Sequence, residues 1–443
     1  MSLSPAGAFT VRKHFLKLIR IIVRGLLSIL DIFVAVPLTI LILVEAVIFR
    51  IMNRTRRKRI ALLVPGADLT SIHRKYGTLN VYFRDNPSNY FEHCYRFLMG
   101  PNNCRLELRE DFTVYERKIP ANVMKLTYLA KLVLEISALT LRNRVAILHA
   151  RDPYYCGLVM WAVSNITRTP FCVSLHADYD LAYATTGRSE SQVILGSRAI
   201  AKKLERFVLS HAPMVLPIRE SIAKYAIGSG ARPDRIRIIP HGIDLTPYKS
   251  DDGTECRKLF QLDDKKVVCS VGRLTKYNYP YDVIEVARLI NQKRNDTIFF
   301  MVGIGSERSN LEAKCRELNL TDSVRFVGFQ PQQMIPSIRM MADVNLCLMA
   351  GFSLIEACAA GRPVIAYDVD WHYELVKNGE TGYLVPEKNV EAVAEAICQI
   401  IDNPERSKVL GENARRLAFE RHSMEKTNEI KVRAYEELLR LQG

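Results

Sequence analysis

The sequence predicts an α/β protein of two doubly wound parallel-sheet domains behind a basic, apolar N-terminal segment, and three observations carry that prediction. The chain has 443 residues, more than one ordinary domain and enough for two cores. From Ile60 onward, short apolar runs alternate with amphipathic stretches of helical period, as strands joined by crossover helices do. Ahead of Ile60 the composition changes: eleven Lys and Arg stand against Asp31 and Glu45, so residues 1–60 hold +9 of the net charge of +15. The basicity belongs mainly to one end. That argues against a nucleic-acid partner, which needs a basic face on the folded domains, and no DNA or RNA recognition motif is present.

Within the N-terminal segment, residues 25–49 are apolar and long enough to span a bilayer, although Asp31, Pro37 and Glu45 interrupt them. Two readings stand: a single span, or a segment kinked at Pro37 that enters and leaves one leaflet. The denser basic flank, from Arg50 to Arg59, follows the run and places the folded body on the cytoplasmic side by the positive-inside rule. Ten cysteines are scattered without a C-x-x-C pair, which fits a reduced compartment and thiols used as small apolar side chains.

The body then reads in order. Ile60 to Val64 form a first strand that ends in a Pro65, Gly66 loop, and residues 123–141 an amphipathic helix. Residues 145–165 give strand, loop and helix, and residues 171–175 a strand with His176 at its carboxyl end. A helix over 191–209, a strand at 213–218 and a helix from Ser221 follow. Residues 251–266 are polar and linker-like, and a second α/β unit opens with the strand that leads to Gly272 and Arg273. Another strand ends in Gly303 and Gly305, where a turn brings backbone close to a ligand. Two more strands precede the stretch Ala350 to Val376, and helices over 390–402, 404–420 and the last residues close the chain.

The stretch from Ala350 is the focus of the expected chemistry. Ser353 and Glu356 have S-x-x-E spacing, so Ser353 is expected to cap a helix and Glu356 to reach back to it. Gly351 leaves the backbone ahead of that helix open. The first-turn amides from Phe352 to Leu354 then face outward at the positive end of the helix dipole, a seat for a phosphate. Arg273 has the fixed charge and planar fork that match phosphate oxygens.

These stretches resemble the nucleotide-binding signature of retaining glycosyltransferases of family 4, and the resemblance runs from about residue 60 to residue 440. It implies the GT-B fold, two Rossmann-like domains facing across a cleft, with an acceptor-side domain over 60–250 and a nucleotide-sugar-binding domain over 251–420. Residues 1–59 would be the membrane anchor, and 421–443 a terminal helix that packs back on the first domain. The resemblance assigns Arg273 and His176 to catalysis, the first on the diphosphate and the second beside the donor sugar. It gives Gly272, Arg273, Lys276, Gly303, Gly351, Phe352, Ser353, Leu354 and Glu356 to donor binding, with Glu356 at the ribose. No cofactor and no metal are implied; the donor is a nucleotide diphosphate sugar. The partners are that sugar, the membrane and a lipid-linked or membrane-proximal acceptor. Asp368-Val369-Asp370 imitates a metal-binding D-x-D, but it trails a strand of the second domain, where this fold does not usually use a metal.

Two departures bear on donor recognition. Leu348 stands near the place of a first family Glu, for which Asp370 or Glu374 are candidate substitutes, and Asn278 stands in place of the usual Lys, for which Lys276 is one. They leave open an alternative in which the protein is a catalytically impaired partner in a membrane glycan assembly complex. A nucleotide-sugar epimerase on a similar scaffold is a third reading, poorly served by a membrane anchor.

Overall fold

The computed structural model describes residues 56–65, 86–119, 125–186, 197–250, 252–262 and 265–441. The apolar run at 25–49 and the turn expected at Gly66 lie outside them. Among the described residues no helix is long and apolar enough to cross a membrane. The chain divides into two compact units, residues 1–239 with 428–443, and residues 240–427.

The first unit holds β1 (Arg57–Pro65), β2 (His93–Gly100), β3 (Cys104–Arg109), β4 (Phe112–Lys118), α1 (Lys125–Arg142), β5 (Val145–Ala150), α2 (Tyr155–Thr167), β6 (Phe171–Leu175), α3 (Tyr179–Thr186), α4 (Arg198–His211), β7 (Met214–Pro217) and α5 (Glu220–Gly228). Its sheet has the order β3-β4-β2-β1-β5-β6-β7. Every pairing is parallel except β3 with β4, so the expectation of a wholly parallel sheet is corrected at one edge. The reason lies in the short connection: residues 110 and 111 turn the chain straight back, and a parallel return would need a crossover. β1 also begins before Ile60. Arg57 pairs with Val145, and the Arg56 guanidinium donates to Val145 O (2.9 Å), Thr167 O (3.0 Å) and the Thr169 hydroxyl.

The second unit continues with α6 (Thr254–Leu259), β8 (Lys266–Val271), α7 (Pro280–Asn291), β9 (Thr297–Val302), α8 (Arg308–Glu317), β10 (Val324–Gly328), α9 (Ile335–Met340), β11 (Val344–Cys347), α10 (Phe352–Ala359), β12 (Val364–Tyr367), β13 (Gly382–Val385), α11 (Val390–Asp402) and α12 (Pro404–His422). Its sheet, β10-β9-β8-β11-β12-β13, is parallel throughout. The strands are buried on both faces, which is why they read as unbroken apolar runs: Val267, Val268, Phe299 and Phe300 are each at most 1% exposed. Burial of a side chain of this size contributes roughly 1.5–3 kcal/mol. Two helix starts are visible in the sequence, since Asn389 accepts from Ala392 N (3.0 Å) and Asn403 from Arg406 N (3.1 Å), the latter with Pro404 at the first position.

The last helix, α13 (Met424–Arg440), crosses the division between the units. Its later turns belong to the first, where Ala434, Tyr435 and Leu438 pack with Ile60, Leu62 and Ile147. The division itself differs from the expected limits after 250 and 420. Residues 240–250 go with the second unit because Ile243 bonds on both sides of α12's end, to His422 O (2.9 Å) and from Met424 N (3.0 Å).

Candidate functional site

In the second sheet β8 runs between β9 and β11, so successive strands leave it in opposite directions. A crevice opens at the carboxyl ends of strands at such a reversal, and ligands of open α/β sheets bind there. Gly272 and Arg273 follow β8, Gly303 follows β9, and Gly351 with α10 follows β11. The nine residues expected to bind the donor thus all follow strands at this reversal: Gly272, Arg273 and Lys276 after β8, Gly303 after β9, and Gly351, Phe352, Ser353, Leu354 and Glu356 after β11.

Gly303 has φ +140°, and a Cβ built on it would fall 1.9 Å from Gly272 O, so this glycine is required by the approach of the β8 and β9 loops to each other. Gly305 is required in the same way, with Leu274 O at 2.1 Å. Gly272 and Gly351 differ: both are exposed, and a Cβ at either meets nothing within 4 Å. Packing does not demand glycine there. Arg273 is exposed, and its side chain makes no hydrogen bond or ion pair among the described residues.

α10 starts differently from the capping box expected. Its N-cap is Gly351 without a side-chain cap, and Ser353 lies inside the first turn. The Ser353 hydroxyl donates instead to Val271 O (2.8 Å) and accepts from Arg339, which ties the helix start to the end of β8. Glu356 accepts from Gln332 Nε2 (3.0 Å) and faces Arg339 Nε at 3.8 Å. Tertiary partners have taken both side chains that the spacing assigned to a local cap. Leu354 N bonds back to Gly351 O (3.1 Å) while its side chain is fully buried, and Phe352 is exposed with its ring 4.8 Å from that of His241.

Asn278, in place of the family's Lys, accepts from Thr275 Oγ1 (2.8 Å) and stands 3.4 Å from Met349 O, which links the loops after β8 and β11. Lys276 is exposed beside Glu307, whose carboxyl is held below its usual range first by the Tyr281 hydroxyl (2.7 Å) and, among lesser causes, by Lys276. Leu348 is 3% exposed in the core, so no polar group reaches the site from that position. Asp368 and Asp370 are exposed after β12, Glu374 lies in the turn His372–Glu374, and among the described residues no group of three His, Cys, Asp or Glu is placed to hold a metal ion. His176 lies half-buried after β6 in the first unit.

Two residues at the site escaped sequence reasoning. His372 is fully buried; its Nδ1 donates to Tyr367 O (2.9 Å) and its Nε2 accepts from Ala350 N (3.2 Å), so it fixes the residue before Gly351. Burial pushes its pKa down against the pull of the two carbonyls, Ala350 O being 3.0 Å from Nε2, and the ring is neutral at physiological pH. Arg339 is the other. It stands four residues after Ile335 and next to Ile338, on the apolar face of α9, and a charge at that register is the signal that marks it.

Comparison with known proteins follows this geometry. The family model for glycosyl transferases group 1 matches residues 252–417, and the model for glycosyltransferase family 4 matches residues 96–247. The chain is 25% identical to alpha-D-kanosaminyltransferase of Streptomyces kanamyceticus over 63% of this chain and 73% of that protein. It is 26% identical to N-acetyl-alpha-D-glucosaminyl L-malate synthase of Bacillus anthracis over 55% and 64%. Among solved structures, HepE of Anabaena in complex with UDP covers 86% of this chain and 100% of its own, with TM-score 0.66 and 18% identity. Sucrose-phosphate synthase from Thermosynechococcus elongatus covers 87% and 100%, with TM-score 0.64 and 22% identity. Both likenesses are of fold.

Proposed function

From the premise that this chain is a GT4-type glycosyltransferase with the GT-B fold, we propose that it transfers a sugar with retention from a nucleotide diphosphate sugar to a lipid-linked or membrane-proximal acceptor at the cytoplasmic membrane face. The observation that carries the donor half is the exposed, unpartnered Arg273 between open Gly272 and the start of α10, at the strand reversal of the second sheet. UDP in the HepE complex supports a nucleotide donor, and the basic flanks of the apolar run at 25–49 support a membrane-bound acceptor.

In this reading the departing diphosphate gathers charge as the glycosidic bond breaks. Arg273 and the amides of Phe352 and Ser353 are donors fixed in advance around it, the Leu354 amide being already bonded to Gly351 O, and Gly272 and Gly351 let backbone approach the phosphates. Lys276 adds a second cation. Glu356, an acceptor-only group, takes ribose hydroxyls, and the family resemblance assigns His176 to catalysis. The relatives above are named for transfer or synthesis, so a partner that has lost catalysis is not favoured.

The test is incubation of the detergent-solubilised full chain with a panel of nucleotide sugars, with and without membrane lipid extract. Nucleoside diphosphate release that depends on the extract, with the product's anomeric configuration matching the donor's by NMR, is the expected result. Release of product with the opposite configuration would remove retention, and no release with any donor would remove transfer.

A further inference from the structure

Arg339 poses the question from which this inference starts. It is 0% exposed, although a guanidinium keeps its charge at any ordinary pH and a buried charge costs far more than an apolar side chain of the same size. Its bonds run to the candidate site. Nη2 donates to Ser353 Oγ in the first turn of α10, and Nη1 stands 3.4 Å from Asn345 Oδ1, whose amide group returns to Arg339 O (3.1 Å). Nε is buried without a hydrogen-bond partner, and Glu356 Oε2 faces it at 3.8 Å. The Tyr248 hydroxyl, on a ring 2% exposed, is buried in the same neighbourhood, where both Arg339 and Glu356 act on it.

Glu356 therefore has two sides. Its outer oxygen meets Gln332 near solvent, and its inner oxygen meets a fully buried cation one small rotation short of hydrogen-bond distance. One guanidinium touches both the helix start proposed for the diphosphate and the carboxylate proposed for the ribose.

We propose that Arg339 is a positioning residue for donor recognition, a buried counter-ion that sets the direction of Glu356 and seats the first turn of α10. It acts on the ligand only through them, and it rests on the donor reading given above.

The experiment compares the full chain with Arg339→Gln, Arg339→Lys, Glu356→Gln and the double variant Arg339→Gln/Glu356→Gln. Calorimetry follows binding of whichever of UDP, GDP and ADP the unaltered chain takes. Arg339→Gln is expected to weaken binding about tenfold or more, as for a lost bond to a charged group. Arg339→Lys should recover part of it. In the Glu356→Gln background the same Arg339 substitution should cost at least about threefold less, the remainder passing through Ser353. Equal losses in both backgrounds, or no recovery in Arg339→Lys, would overturn the assignment and leave Arg339 a packing residue. Should Arg339→Gln not fold, Arg339→Lys carries the same comparison, its loss again having to shrink beside Glu356→Gln. Failure of the unaltered chain to bind any of the three nucleotides would remove the donor reading, and this one with it.

Discussion

Gly272 and Gly303 make a paired test of which glycines serve the fold and which serve a ligand. In Gly303→Ala the new Cβ falls 1.9 Å from Gly272 O, in a backbone at φ +140° that L side chains rarely adopt. Strain of about 1–3 kcal/mol and overpacking of about 1–3 kcal/mol give a loss of roughly 2–6 kcal/mol. In Gly272→Ala the Cβ meets nothing within 4 Å, so stability should stay within about 0.5 kcal/mol. If a diphosphate lies against that backbone, the same methyl displaces it, at about 1–3 kcal/mol or about five- to 150-fold in affinity. Scanning calorimetry of the full chain reads the first quantity and titration with a nucleoside diphosphate the second. A Gly272→Ala variant that binds as tightly as the unaltered chain would refute the placement of the phosphates beside β8. An unchanged melting temperature for Gly303→Ala would refute the packing argument.

Arg273→Ala should weaken nucleoside-diphosphate binding by about 1.5–3 kcal/mol with no change in melting temperature; unaltered affinity by calorimetry would take Arg273 out of the site. Tyr435→Phe removes the hydroxyl that meets His149 Nδ1 at 2.8 Å in the core and should cost about 1–3 kcal/mol, read by denaturant unfolding, with a loss below that range counting against the bond. Burial lowers the pKa of His149, His372 and His422, so their folded forms bind protons more weakly than the unfolded chain does. Their stabilisation is therefore complete above the unfolded value of about 6.5 and is lost as pH falls below it, by at most about 1.4 kcal/mol per pH unit for each ring. Melting temperatures that rise from pH 7 to pH 5 would contradict this. A chain that starts at Thr55 should stay folded, leave the membrane fraction and keep nucleotide binding, whereas one that starts at Arg59 loses the Arg56 and Arg57 bonds and should melt lower. Continued pelleting of the first chain with membranes would point to a membrane face on the folded body.

Much of this architecture can be read from the sequence where burial is two-sided. The strands β8 and β9 show as unbroken apolar runs because helices cover both faces, and the glycines after them mark where loops touch. β2, β3 and β4 do not show. Arg96 and Glu116 break the apolar runs of β2 and β4, and the edge strand β3 is exposed at four of its six residues, so neither the run nor the helical period appears. The S-x-x-E spacing misleads for a different reason. A capping box is a local rule, and Ser353 and Glu356 answer to Val271, Arg339 and Gln332, which are 14 to 82 positions from Ser353 and 24 from Glu356 in the case of Gln332. What the site needs from His372 is likewise a contact 22 positions away, with nothing in its neighbours to announce it.

The path of α13 has a consequence for how the protein is made. The first unit consists of residues 1–239 and 428–443, so the part synthesised first is finished last. When residues 145–150 leave the ribosome, the partner of His149 is 286 positions from being made. Until then β1, β5 and β6 present a bare apolar face that Ala434, Tyr435 and Leu438 will cover. The first unit therefore cannot complete this buried surface until α13, made after the whole of the second unit, is in place.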